Sequence, residues 1–263
     1  MKSVKLKERE KDLKVTYILA IDIGNTNITA GIFVGNRLVH KAKIATHKPA
    51  LYLGLLKRFL GKVFIRPDEL DGVIVASVVP NASSALLKAL KAMGVKNVLV
   101  TGRDVRIPVK NLYRKRSEVG QDRLVNAYAA RKLYGSPAVV VDFGTAVTFD
   151  IVSKKGEYMG GLIMPGVGIS LETLYERTAL LPKVELKDAP SIIAKDTVSS
   201  MRGGILFGFG AMCDGLIARY RKILGSNLTV IATGGNCHLI KKYASSISIV
   251  DEDLTLKGLY HLV

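Results

Sequence analysis

Apolar residues in the first half of the chain recur at two spacings. Short apolar runs bounded by Gly, Pro or Asn are typical of strands, whereas leucines at intervals of three and four residues indicate helices. Gly35 and Asn36 supply a turn between two of the runs, and Gly61 and Gly94 follow the helical segments as stop signals. The predicted strands cover residues 15–21, 28–34, 37–45, 72–77 and 98–100, and the predicted helices cover residues 51–60 and 83–93.

The second half of the chain repeats this order with additions. A helix predicted over residues 118–134 ends at Gly135, and three strands, a long helix and a further strand follow it. These strands are predicted at 138–142, 146–152, 157–163 and 230–233, and the long helix at 197–224. The repeated order predicts an α/β protein of two duplicated domains with mixed sheets and a cleft between them.

The same pattern predicts the domain boundaries and helix caps. Residues 1–14 mix charges and offer little to bury, which predicts a flexible or helical extension. An N-terminal domain is expected over residues 15–117 and a C-terminal domain over residues 118–263. The expected helix caps are Asn81 or Ser83, after a strand stopped by Pro80, and Ser117.

Two segments about 120 residues apart carry one motif. In each, a buried-type strand ends in Asp-x-Gly, small hydroxyl residues follow, and a second β-rich run begins: Asp22-Ile-Gly24-Asn25-Thr26 and Asp142-Phe-Gly144-Thr145. A glycine turn with positive φ would leave backbone N–H groups facing an anion. The alternative is an ordinary β-turn, but two turns with equivalent flanking strands favour a phosphate held between two related domains. Neither segment is a P-loop or a dinucleotide fingerprint.

A third segment, Gly120-Gln121-Asp122-Arg123, opens a predicted helix. The helix dipole should keep Asp122 ionised in the first turn, so Asp122 and Arg123 could serve as a base beside an anion clamp. An acidic residue near a helix start is equally common for stability alone.

Two glycine-rich segments have open interpretations. Residues 233–236 could let an adenine or ribose lie against bare backbone, or could simply connect a strand to a helix tightly. Residues 160–168 could let a phosphate approach the backbone closely, or could let helices and subunits pack together. The four histidines have no ligand spacing and are predicted to be non-catalytic.

Composition narrows the class of protein. Most of the net charge of +17 falls within residues 1–119, which suits either nucleic acid or a solvated basic surface that attracts small anions. The basic cluster over 103–116 has only Tyr113 as an aromatic, so nucleic acid is disfavoured. Two cysteines, no long apolar run and no signal sequence predict a cytoplasmic protein without a membrane span.

At these motifs the chain resembles the type III pantothenate kinases, over nearly everything from Leu19 to Leu259. The resemblance also covers Val75–Pro80, Glu118–Val119, Gly160–Gly166, Lys195–Thr197 and Asp253–Leu259. It implies the RNase H-like (actin-like ATPase) fold shared by acetate kinases, sugar kinases, chaperone ATPases and actin. It also implies transfer of a phosphoryl group from ATP to the primary hydroxyl of pantothenate, giving 4'-phosphopantothenate, the first step of coenzyme A biosynthesis.

The resemblance further implies a homodimer, Mg²⁺ with ATP, and a monovalent cation, K⁺ or NH₄⁺. It assigns Asp122 as the base and Asp142 to the monovalent cation. The implied ATP-binding residues are Asp22, Ile23, Gly24, Asn25, Thr26, Asn27, Ile28, Thr29 and Thr145, and the implied substrate residues are Tyr113, Gly120, Gln121, Asp122, Arg123 and Thr197.

Departures from the family pattern are confined to a few positions. Residues 1–14 are extra, Lys115-Arg116 stands where Asn-Pro is frequent, and Gln121 stands where Ala is usual. Because the phosphate and base residues are present, an active kinase is expected. The alternatives are a non-catalytic regulator of the accessory-factor type and another small-molecule kinase of the superfamily.

Overall fold

The computed structural model describes residues 15–189 and 191–263 of the chain. The predicted extension over residues 1–14 lies outside the described residues. Two five-stranded mixed sheets and the helices around them account for the fold.

The first sheet is built from residues 17–100. Its strands are β1 (Tyr17–Ile23), β2 (Asn27–Val34), β3 (Arg37–Ala45), β4 (Gly72–Ser77) and β5 (Val98–Val100). They lie in the order β3-β2-β1-β4-β5, with β1, β2 and β3 antiparallel and β4 and β5 parallel to β1. Two helices, α1 (Tyr52–Gly61) and α2 (Pro80–Ala92), pack their apolar faces on one side of this sheet.

The second sheet repeats the first in order and direction. Its strands are β6 (Ala138–Phe143), β7 (Ala146–Val152), β8 (Tyr158–Pro165), β9 (Thr229–Thr233) and β10 (Ile249–Val250). They lie in the order β10-β9-β6-β7-β8, with β7 and β8 antiparallel and β9 and β10 parallel. The prediction of two duplicated α/β units with mixed sheets is confirmed.

The described residues of the second half form the α-helices α3 (Gln121–Tyr134), α4 (Val167–Glu176), α5 (Thr197–Leu224), α6 (Cys237–Lys241) and α7 (Leu254–Tyr260). Two of them, α3 and α7, lie between the sheets, where a single apolar cluster takes residues from β1, β4, β6, α3 and α7. Gly258 makes this contact possible, because a Cβ there would lie 2.8 Å from Val125 Cγ1 and 2.9 Å from Ala129 Cβ. The cleft between the halves therefore has a closely packed floor.

The helix starts differ from those predicted. Helix α2 begins at Pro80 with Val79 as its N-cap residue, not at Asn81 or Ser83, because proline fits the first helical turn, where an N–H is not needed. Ser117 lies in a short 3₁₀ turn, and Gly120 is the N-cap residue of α3. The corrected start places Asp122 in the first turn of α3.

Helix α5 has the length and apolar composition of a membrane-crossing helix, which core helices of globular proteins also have. Its buried face, with Leu206, Cys213 and Ile217, packs in the core of the second sheet. The opposite face is exposed and carries small residues at helical spacing: Gly204, Gly208, Ala211, Gly215 and Ala218.

Candidate active site

A cleft of about 500 Å³ opens between the two sheets and takes its lining from both halves of the chain. The first hairpin loop (residues 24–26) joins β1 to β2, and the second hairpin loop (residues 144–145) joins β6 to β7. The loops meet across the cleft, where the Oγ1 atoms of Thr26 and Thr145 lie 2.9 Å apart in a hydrogen bond. The two segments that share the Asp-x-Gly motif thus form one site.

Gly24 does not have the conformation that we expected. Its φ is not positive, and its N–H donates to Asn27 O over 3.0 Å instead of facing outward. The glycine is needed for close approach, because a Cβ would lie 3.1 Å from that same carbonyl oxygen. Thr46 Oγ1 donates to Gly24 O over 2.7 Å, which fixes the loop to the end of β3.

Sheet pairing aligns polar side chains into two matching rows, because directly opposed residues on neighbouring strands project from one face. The first row runs from β4 to β3 through Ala76, Asp22, Thr29 and Lys43. The second row runs from β9 to β8 through Thr233, Asp142, Thr148 and Ile163. Each row therefore puts an Asp–Thr pair at the cleft.

Three of the carboxylates that line this cleft, Asp22, Asp122 and Asp142, have pKa values above the usual range. Burial raises the pKa of Asp22 to about 8, and the neighbouring Asp122 and Asp142 add to that rise. Burial and Asp122 raise the pKa of Asp142 to about 6, while the Asn126 amide, which donates to Asp142 Oδ2 over 3.1 Å, opposes the rise. These carboxylates therefore favour the binding of a cation in the cleft.

Asp122 is positioned by its own helix turn. Its Oδ1 accepts a hydrogen bond from Arg123 N over 2.8 Å, and a Cβ on Gly120 would lie only 2.4 Å from this oxygen. We expected the helix dipole to stabilise the ionised form of Asp122, and the backbone donors of this turn do lower its pKa. Burial has the larger effect, however, and raises the pKa of Asp122 above its usual range.

Arg123 is almost entirely buried, with 7% of its surface exposed, and hydrogen bonds fix the position of its guanidinium group. Its Nε donates to Asp150 Oδ1 over 2.7 Å, and its Nη2 donates to Phe149 O over 3.2 Å. Tyr158 Oη and Thr148 Oγ1 also donate to the Asp150 carboxylate, over 3.1 and 3.0 Å. Burial raises the pKa of Asp150 to about 7, and Arg123 opposes that rise. Within the described part of the chain, Arg123 Nη1 has no hydrogen-bond partner, so it is the guanidinium nitrogen left for a ligand.

The other predicted site residues do not line the cleft. The side chains of Ile23 and Ile28 are fully buried in the core of the first sheet. Tyr113 rests beside Tyr158, with ring centroids 6.5 Å apart, and Gln121 covers Gly102 at a second groove. Thr197 is the first residue of α5 and does not line the cleft of this single chain.

The structure also places in the cleft several residues that the sequence analysis did not single out: Lys41, Lys43, Asn126, Thr148, Glu172, Glu252, Asp253 and Thr255. Lys43 and Thr148 could have been found from the strand register, because Lys43 pairs with Thr29 and Thr148 pairs with Asp142. For Asp150, the signal was a charged residue within an apolar strand, since a buried carboxylate requires partners.

The turn after β9 closes another side of the cleft. Gly234 has φ +85°, and a Cβ there would lie 2.3 Å from Asp142 Oδ1. The segment from Thr233 to Asn236 therefore packs on the Asp142 carboxylate and also lines the cleft. Among the described residues, no group of three or more His, Cys, Asp or Glu side chains is placed to hold a metal by itself.

The twin sheets, with their loops joined at Thr26–Thr145 and the carboxylates of Asp22, Asp122 and Asp142 beneath, have the architecture of the actin-like ATPase fold. Solved structures with this fold include the ethanolamine utilization protein EutJ from Carboxydothermus hydrogenoformans (TM-score 0.57, 15% identity, 95% of this chain and 91% of that one). A proposed Baf family transcriptional activator from Campylobacter jejuni is also similar (TM-score 0.54, 18% identity, 93% and 95%). At these identities the likeness shows the fold alone.

Sequence relatives identify the family. The family model described as type III pantothenate kinase matches residues 18–219. Relatives of that name from Moorella thermoacetica and Listeria welshimeri are 43% and 41% identical, each over 92% of this chain and over 96% and 95% of their own lengths. The chain belongs to the type III pantothenate kinase family, and it is a kinase.

Proposed function

We propose that the protein transfers the γ-phosphoryl group of ATP to the primary hydroxyl of pantothenate, giving 4'-phosphopantothenate for coenzyme A biosynthesis. The observation that carries this proposal is the convergence, in one cleft, of two hydroxyl-bearing loops and the buried carboxylate of Asp122. Family membership supplies the identity of the acceptor.

The ATP phosphates occupy the space between the hairpin loops. Asn25, Thr26, Asn27 and Thr145 offer side-chain donors there, and Asp22, Gly24 and Thr29 complete the wall. Residues 23 and 28 contribute backbone, since their side chains are in the core. The bare turn at 233–236 serves the nucleoside end of ATP. Fixed donors aimed at developing charge lower the barrier to phosphoryl transfer.

Asp122 orients the acceptor and takes its proton. The hydroxyl oxygen bonds to the γ-phosphorus, the bond from that phosphorus to the β–γ bridging oxygen breaks, and the hydroxyl proton passes to Asp122. In a loose transition state this proton moves late, so a carboxylate suffices as acceptor. The raised pKa of Asp122 brings the carboxylate closer to the pH at which a general base is most effective.

The acceptor side of the site is assigned to α3 and its surroundings. Arg123 Nη1 faces the carboxylate end of the substrate, and Gly120 lets Asp122 fold back to the hydroxyl. Tyr113 and Gln121 flank this side, and Thr197 comes from a second copy of the chain. Such positioning holds the acceptor hydroxyl in the orientation that the reaction requires, which lowers the entropic part of the barrier.

The donor set fits the expected cations. Mg²⁺ is usually held by one or two carboxylates together with substrate phosphates, so a complete protein cage is not required. Asp142 fits a monovalent cation, because its carboxylate is desolvated and, among the described residues, only Oδ2 accepts a hydrogen bond, from Asn126. The cations supply charge neutralisation of the phosphates.

A homodimer suits the exposed apolar surface of the second half. Edge strand β8 exposes Met159, Leu162 and Ile163, and the small-residue face of α5 has open space where side chains would be. Exposed apolar surface of this kind is typical of an interface between proteins. We assign this face to a second copy of the chain. We also propose that the protein is cytoplasmic and does not bind nucleic acid. We place the domain boundary between residues 117 and 118.

A coupled assay tests the proposed function. Purified protein with ATP, Mg²⁺ and K⁺ should release ADP only when pantothenate is added, and acetate or a hexose should not replace it. Mass spectrometry should find the acceptor heavier by one phosphoryl group. Absence of pantothenate-dependent ADP release would overturn the proposal.

A further inference from the structure

We infer that Lys43, on an edge strand of the first sheet, binds the phosphate chain of the nucleotide across the cleft. This inference rests on the proposed use of ATP and adds a phosphate-binding cation to it. The chain has no P-loop lysine, so a protein cation that contacts the phosphates beside the bound metal ions has to lie at another position.

Strand register aims Lys43 into the site. On β3, Lys43 is directly opposite Thr29, which is itself opposite Asp22. Opposed residues project from one face, so the Lys43 side chain continues the first row from the carboxylate and hydroxyl toward the open side of the cleft. All three residues line the cleft.

Charge pairing leaves Lys43 available. The cations that line the cleft are Lys41, Lys43 and Arg123, and the carboxylates are Asp22, Asp122, Asp142, Glu172, Glu252 and Asp253. Lys41 Nζ pairs with Asp253 at 2.8 Å and with Glu252 at 3.2 Å, and Arg123 pairs with Asp150. Within the described chain, Lys43 has no ion pair with any of these acids. Among the described residues, Lys43 is thus the lining cation without an ion-pair partner.

The side chain reaches the opposite wall. A Cβ built on Gly235 would lie 3.3 Å from Lys43 Nζ, so the ammonium group stands beside the turn that follows β9. The bare glycine leaves room for the ammonium at that place. Lys43 therefore extends from the first sheet to the turn of the second, over the space that the nucleotide must enter.

The chemistry favours phosphate over the base or sugar. A lysine ammonium is a compact charge with three donors on a flexible stem, suited to follow phosphate oxygens. Phosphates bring four negative charges into a cleft that already holds an excess of carboxylates, so an uncommitted cation there contributes to ATP affinity. A charge-assisted contact of this kind typically changes affinity by about tenfold or more.

Calorimetric titration of Mg²⁺-ATP and of adenosine into three variants tests this inference. Lys43→Ala should bind ATP about tenfold more weakly than the wild type and adenosine within about twofold of it, because adenosine lacks phosphate. Lys43→Arg keeps the charge and should remain within about threefold for ATP. Lys62→Ala removes an exposed lysine that does not line the cleft and should match the wild type.

The outcomes separate this inference from the function on which it rests. Unchanged ATP affinity in Lys43→Ala, or equal weakening for ATP and adenosine, would overturn the assignment of Lys43 to the phosphates. A wild type that binds ATP but does not phosphorylate pantothenate would refute the proposed function and leave the Lys43 result interpretable. A wild type that does not bind ATP would refute both.

Discussion

The two sheets have the same strand order and differ in their edge-strand residues and in the contacts of the helices that cover them. Each row has an Asp–Thr pair at its centre, Asp22–Thr29 in the first and Asp142–Thr148 in the second. The edge positions differ, since Lys43 ends the first row inside the cleft, whereas Ile163 ends the second row with 65% of its surface exposed. The duplicated scaffold thus has a charged residue at one edge, which we assign to a ligand, and an apolar residue at the other, which we assign to a dimer interface.

The helices that cover the sheets differ in the same way. Two residues beyond Thr29, Gly31 leaves space that Leu256 of α7 enters, coming within 2.7 Å of where a Cβ would be. Two residues beyond Thr148, Asp150 instead receives Arg123 of α3. At these equivalent positions, the first sheet makes an apolar contact with its covering helix, whereas the second makes an ion pair with the residue next to Asp122. This difference supports our proposal that the acceptor binds beside α3.

The largest effect is expected from Asp122→Asn. Because Asp122 has no counterpart over the first sheet, loss of its carboxylate should reduce kcat by about 100-fold or more, in the range for a general base. Steady-state ADP release measures this, and unchanged ATP affinity is the control. Full activity in this variant would remove Asp122 from its role as base.

Asp150→Asn should cost the most stability. The substitution leaves Arg123 buried without a countercharge, which typically costs about 3–5 kcal/mol in the free energy of unfolding. Urea denaturation measures the loss. Tyr158→Phe removes one donor and should cost about 1 kcal/mol. Equal losses of unfolding free energy in the two variants would contradict the importance that we give to the Arg123–Asp150 ion pair of the second sheet.

Ile163→Asp should disrupt the proposed dimer by placing a charge on the apolar edge. We expect the dimer dissociation constant to rise at least about tenfold, as for a buried unpaired charge at an interface. The matched control is Val39→Asp, at a residue 46% exposed on β3, the equivalent edge strand. Analytical ultracentrifugation measures both, and equal behaviour of the two variants would contradict the distinction between the edges.

The smallest effect concerns cation binding to Asp142. Its folded pKa of about 6 lies above the usual value, so the folded state takes up a proton that stabilises it at low pH, and this contribution is lost as pH rises through 6. A monovalent cation binds the ionised carboxylate. K⁺ should therefore raise the melting temperature by a few degrees at pH 8 and by much less at pH 5. An equal K⁺ effect at both pH values would argue against Asp142 as the ligand.

Sequence reasoning predicted the duplicated sheets because hydrophobic period and glycine stops are local signals. It found Asp22, Asp122 and Asp142 because polar residues that end apolar strands or begin helices stand out. It missed Lys43 and Thr148, since their positions depend on strand register, which no local pattern specified. It did not predict the raised pKa of Asp122, because the helix N-terminus is visible in the sequence, whereas the burial that raises this pKa is a property of the assembled cleft.

The central claim is that Thr29, in the first row, serves ATP, whereas Thr148, in the second row, serves the acceptor through Asp150 and Arg123. The most direct test is one substitution made at the two equivalent positions, Thr29→Val and Thr148→Val, with KM measured for both substrates. We predict that Thr29→Val raises KM for ATP at least about threefold and leaves KM for pantothenate unchanged. Thr148→Val, by loosening Asp150 and Arg123, should do the reverse. Equal changes in both KM values in each variant, or the opposite assignment, would contradict the account.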